Sequence, residues 1–149
     1  MAHTFLLESG KWMLEGNLIE RDGTIIQVEG KILVTWNRTD WFNMVTKLRF
    51  PNADRPEIIM QYRGHLDSDE RKYTFVVQHN IMGRVEGEGW IGPQSIVQRY
   101  WVLSDDKQRR TGFETQRQIN DDVYLMTGAV MAGPSMVSAM ESTLQRLPD

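Results

Sequence analysis

Few residues in this chain could do chemistry, and they are scattered. The histidines are His3, His65 and His79. None stands at His-x-x-x-His spacing or beside a carboxylate at metal-ligand spacing. His3 reads as terminal and mobile, and His65 opens a charged turn. His79 falls in phase with Phe75 and Val77, so it is expected to face inward, either as a satisfied core or rim residue or as a group presented to a ligand. Cys is absent. That excludes disulfides and thiolate metal sites and fits a reducing cytoplasm.

The acidic groups have simpler explanations. Asp105-Asp106 and Asp121-Asp122 lie beside Ser104 and Asn120 and read as turn residues. Asp67, Asp69 and Glu70 lack the glycine and closing glutamate of a calcium loop. "GEGWIG" (87–92) has the Gly-x-Gly-x-x-Gly spacing. Pro93 and another strand follow it, not the helix a dinucleotide site needs, so bends in a curved strand explain it better. There is no Gly-x-Ser-x-Gly, and nothing favours a catalytic triad.

These residues must be held by something, and most of the chain reads with period two. "KWMLEGNLIE" puts Trp12, Leu14 and Leu18 on one side. Across the Asp-Gly turn at 22–23, Ile26, Val28, Ile32, Val34 and Trp36 share the next inward face. Gly30, in mid-strand, suggests a bulge or bend. Phe42, Met44, Leu48 and Phe50 follow; then Ile58, Met60 and Tyr62; then Tyr73, Phe75, Val77 and His79. Further strands run to about residue 132, with turn residues at each junction. After Pro134, Ser135 reads as an N-cap, and Val137, Met140, Leu144 and Leu147 recur at spacings of 3, 4 and 3. That spacing predicts one short amphipathic helix over about 135–146.

The 149 residues are expected to form a single domain with a core of its own. Net charge is −3 with the signs interspersed. No basic face for nucleic acid and no lysine run for a membrane surface is visible. No apolar run is long enough to span a membrane, and the N-terminus does not read as a signal peptide. The sequon Asn37-Arg38-Thr39 is read as chance. Short turns between many strands favour an all-β fold. The expectation is a closed up-and-down antiparallel barrel of eight to ten strands, because closure removes exposed edges.

Gly10 and Trp12, entering the first strand of such a barrel, resemble the calycin signature, shared by lipocalins and fatty-acid-binding proteins. Met13 stands where lipocalins carry an aromatic residue. The resemblance implies that Trp12 plugs the closed end and that a late-strand Arg packs on it, with Arg99 or Arg117 as candidates. "IVQRYWVLSDDKQRRTGFETQRQ" (96–118) is faintly similar to the late strands of S-type phycobiliprotein chromophore lyases. Some calycins also carry haem on a single His, which would offer His79 as an axial ligand.

Five Trp, five Phe, four Tyr and nine Met supply soft apolar lining. Trp36, Met44, Met60, Tyr62, Phe75 and His79, with Arg99 and Arg117, are the candidate interior residues. A packed core and a hollow one both fit them. The primary expectation is a cytoplasmic barrel binding a small hydrophobic molecule, a lipid, tetrapyrrole or similar, with no cofactor specified. The alternatives are a lyase-like enzyme handling a bilin, or a solid interaction module. In the solid module, Trp41 and Trp101 would mark a homodimer patch.

Overall fold

The computed structural model describes residues 2–37, 40–103 and 106–148. Arg38 and Thr39 of the sequon, and Ser104 and Asp105 of an acidic turn, lie outside them. Ten strands follow one another: β1 (Gly10–Glu20), β2 (Ile25–Trp36), β3 (Trp41–Arg49), β4 (Ile58–Leu66), β5 (Lys72–His79), β6 (Gly83–Ile91), β7 (Ser95–Val102), β8 (Arg110–Asn120), β9 (Val123–Ala132) and β10 (Ser135–Leu147). Each pairs antiparallel with the next. β1 also pairs with β10, from Lys11 opposite Leu147 to Glu20 opposite Ser138, which closes the barrel. No edge is left open among the described strands.

The expected C-terminal helix is corrected: residues 135–147 are strand β10, and no helix occurs among the described residues. Two features produced the helical spacing. A register shift between Met136 and Ser138 interrupts the alternation at Val137. Beyond it the inward positions are Ser138, Met140, Ser142 and Leu144, so small polar residues break the apolar stripe. Ser142 is small because Gly16 lies opposite; a Cβ on Gly16 would fall 2.0 Å from the Glu141 carbonyl oxygen. β1 and β10 are thus pressed together at the seam.

Gly30 does not mark a bulge. The β2–β3 register runs through it unbroken. What it supplies is space, since a Cβ there would sit 2.6 Å from Leu48 Cδ2. Gly87 and Gly89 of the glycine-rich strand likewise make room for aromatic rings. Phe75 Cζ and Tyr73 Cζ lie 2.2 and 2.1 Å from where their Cβ atoms would be. Rings covering glycines let neighbouring strands curve without leaving voids.

The two ends of the barrel differ. At one end Phe5 and Leu6 fold under the strands and pack with Trp12 and Tyr124. Phe5 meets the Trp12 ring edge-on at 5.4 Å, and Tyr124 does so at 5.6 Å. His3 is not a mobile terminal residue. It is buried, with Nδ1 2.8 Å from the Tyr124 hydroxyl and Nε2 2.7 Å from the Gly92 carbonyl. Thr4 Oγ1 donates to the Asp121 carbonyl at 2.6 Å, completing the plug. The other end, where β1, β3, β5, β7 and β9 finish, has no such plug among the described residues.

Candidate ligand-binding site

A cavity of about 490 Å³ opens at the unplugged end. Its rim carries Glu20, Arg55, Ile81, Met82, Arg110 and Val137, from the turns and strand ends there. Its wall is mainly apolar: Leu18, Leu48, Ile58, Met60, Phe75, Val77, Val85, Val130 and Met140. Tyr62, Tyr100, His79, Ser138 and Glu114 add a few polar tips. A void of about 30 Å³ lies beneath, sharing Leu48, Met60, Tyr62, Glu114 and Met140 with the cavity and reaching Met44, Gln98 and Gln116. Below that lie the buried side chains of Phe5, Leu6, Trp12 and Tyr124.

The polar groups form a directed chain. The Tyr73 hydroxyl donates to Gln98 Oε1 at 2.7 Å. That fixes the Gln98 amide so that its Nε2 donates to Glu114 Oε2 at 3.1 Å. Gln116 Nε2 donates to the same oxygen at 3.2 Å. Burial pushes the Glu114 carboxyl up to about 7, and the bonds from Gln116 and Gln98 restrain the rise. Tyr62, Tyr73 and Tyr100 are all raised, first by burial and then by the charge of Glu114, so they stay protonated donors.

At the rim, Arg110 is clamped by Asp106: its Nε and Nη2 donate to that carboxylate at 3.1–3.2 Å. These bonds hold Asp106 below the usual carboxylate range. Arg55 pairs with Glu20 across the rim. His79 Nδ1 accepts backbone N–H bonds from Ile81 and Met82, at 3.1 and 3.0 Å. The proton of the neutral ring therefore sits on Nε2. Burial, and secondarily Arg110, hold its pKa below the ordinary imidazole value. An axial ligand to haem iron must offer an unprotonated nitrogen, normally with the other N–H donating to a carbonyl or carboxylate. His79 has the reverse arrangement, so it does not fit that role. Among the described residues, no cluster of three or more His, Asp or Glu could hold a metal ion.

No family model matches this sequence, and no curated protein does either. Solved structures do. One, Rv2717c from M. tuberculosis, superposes with a TM-score of 0.73 at 12% identity, covering 94% of this chain and 92% of that one. Another, the S-type phycobiliprotein lyase CPES from Guillardia theta, gives 0.67 at 15% identity, covering 95% and 89%. The chain folds as a calycin-like barrel. At such identities the likeness establishes the fold and leaves the function to the residues of the site.

Within this calycin-like barrel the sequence-predicted residues fall in four places. Met60, Tyr62, Phe75 and His79 line the cavity. Met44 lies under it, in the wall of the small void. Trp36 faces inward at the plugged end, its Nε1 donating to the Leu6 carbonyl at 2.9 Å, so it does not line the cavity. Arg99 and Arg117 are corrected: both point outward into solvent. Arg99 bonds Glu88 at 3.2 Å and stands 5.3 Å over the Trp101 ring. The arginine beside Trp12 is Arg146, on the strand expected to be a helix. Gly10 starts β1 as expected, and Trp12 is fully buried.

The error on β8 has a physical source. Phe113 and Ile119 are apolar yet 48% exposed. Arg117 shares the phase of Phe113, which faces solvent despite its apolar residues, so the arginine that the resemblance implied lies outside. The inward residues are Gly112, Glu114 and Gln116. On β7, Ile96, Gln98 and Tyr100 alternate with Val97, Arg99 and Trp101, and both phases look apolar. Glu114, Gln98, Gln116 and Arg110 were therefore missed. Their signal is a polar phase facing an apolar one on adjacent strands, which reads as inward only once the β7–β8 register is known.

Proposed function

We propose that this barrel binds one small hydrophobic molecule in the cavity, admitted through the end ringed by Arg55, Ile81, Arg110 and Val137. The observation that carries this reading is an apolar cavity of about 490 Å³ with a few convergent polar groups. That is the size and character of a cofactor- or drug-sized site. It also speaks against the solid-module alternative, since the interior holds this cavity. Arg63 lies 4.9 Å over Trp41, as Arg99 lies over Trp101. The chain's own guanidinium groups thus already cover the two indoles of the proposed dimer patch. The absence of Cys supports placing the protein in a reducing cytoplasm.

The Guillardia protein is named a phycobiliprotein lyase, so tetrapyrroles are the first ligand class to test. Native mass spectrometry of freshly purified protein is the direct experiment. A bound species, or saturable uptake of an apolar dye competed by added ligand, supports the reading. A mass equal to the bare chain together with no dye uptake would end it.

A further inference from the structure

The cavity has unequal poles. At the rim the lining groups include Arg55 and Arg110, each paired with a carboxylate, Glu20 and Asp106 respectively, and His79, whose Nε2 carries a proton. Arg110 uses Nε and Nη2 on Asp106, and no bond to its Nη1 occurs among the described residues. The inner end is the opposite. Gln98 and Gln116 spend their amide N–H groups on one oxygen of Glu114, Oε2. The Glu114 Oε1 atom takes no side-chain hydrogen bond among the described residues. Gln116 Oε1 is buried in the adjoining void with no partner. Gln116 Oε1 is thus a buried acceptor without a donor, which is costly to leave unmatched, and Glu114 Oε1, when the carboxyl is ionised, is a second acceptor in the lining of the cavity.

Resting on the reading that the cavity holds a hydrophobic molecule, we infer that the occupant presents an N–H donor to Glu114 at its inner end. The Tyr73–Gln98–Glu114 chain locks the direction. With Glu114 ionised, turning the Gln98 amide over would set its oxygen against the carboxylate. A fatty acid entering carboxylate-first would bring two carboxyl groups together and meet no cation there, because Arg99 and Arg117 lie outside. The rim suits an acceptor or anionic group. Glu114 and Arg110 lie four residues apart on β8, about 13 Å along the strand. The ligand class is an elongated apolar molecule with an amine, amide or pyrrole-type N–H deep in the barrel and an acidic or carbonyl group near the mouth.

Four short-chain probes test this by titration calorimetry at pH 7: n-decylamine, decyltrimethylammonium, decan-1-ol and decanoate. Decylamine should bind at least ten-fold more tightly than decyltrimethylammonium, which has the charge but no N–H, and than decanoate. In Glu114→Gln the side-chain oxygen stays on the two glutamines and an NH₂ faces the cavity. The ranking should then reverse in favour of decanoate. Equal affinity of decylamine and decyltrimethylammonium for the natural protein would overturn the inference while leaving the cavity reading intact; this comparison needs no variant. If none of the four binds, decan-1-ol included, the cavity reading fails and takes the inference with it.

Discussion

Arg146 sits directly across the β1–β10 seam from Trp12, its guanidinium carbon 6.0 Å from the centre of the indole. It also reaches Glu8 at 3.3 Å, tying the N-terminal plug to the last strand. The contact joins the floor of the barrel to its closing strand, so its loss should be felt globally. Arg146→Ala is expected to lower unfolding stability by about 1 kcal/mol through the lost cation–π contact and stem packing. Arg99→Ala and Arg117→Ala, both outside, should stay within about 0.5 kcal/mol. Urea denaturation of the three variants checks the ranking.

Glu114 makes stability depend on pH in a direction unusual for a carboxylate. Its folded-state value is raised to about 7 from the ordinary 4.5. Between those values the folded protein holds a proton that the unfolded chain has released. Rising pH therefore removes stability across that window. The expected outcome is a melting temperature that falls more steeply from pH 4.5 to 7 in the natural protein than in Glu114→Gln. Parallel curves would show that the carboxyl titrates normally.

Haem provides a test of the His79 geometry. Because Nδ1 accepts from Ile81 and Met82, ligation through Nε2 would require breaking both bonds and moving the proton. Added haemin should give no Soret band characteristic of histidine ligation. Any weaker apolar uptake should be unchanged in His79→Gln. A shifted Soret band abolished by that substitution would refute this account of the ring.

Gly112 controls the shape of the cavity wall. A Cβ there would lie 2.2 Å from Tyr100 Cζ and 2.3 Å from its hydroxyl oxygen. Gly112→Ala should displace the Tyr100 ring, which lines the cavity. Dye or decylamine affinity is expected to drop by about ten-fold or more, while the far-ultraviolet circular dichroism spectrum remains that of a β-barrel. Undiminished affinity would show that the ring has slack.

How much was legible beforehand depended on how local the signal was. On β2 and β5 the inward phase is uniformly apolar, from Val28 to Val34 and from Tyr73 to Val77, and the sequence alone places these side chains. Trp12 was legible through its position after Gly10. The last strand was not, because its partner β1 lies at the far end of the chain and its inward Ser142 answers to Gly16. The polar heart of the site was hidden for a related reason. Glu114 faces inward against the apolar trend of its own strand, and only the amides of Gln98 and Gln116 make that arrangement tolerable.

The seam that joins Lys11 to Leu147 also governs the order of assembly. As the chain leaves the ribosome, β1 through β9 can zip hairpin by hairpin. The sheet they form keeps two raw margins until the final thirteen residues of β10 arrive. In that interval the margins of β1 and β9 are free to capture each other's counterparts on a neighbouring nascent chain. Closure is the longest-range event in the molecule and should be among the slowest. A chain ended before Ser135 would thus be a sticky trough of nine strands, one short of closing.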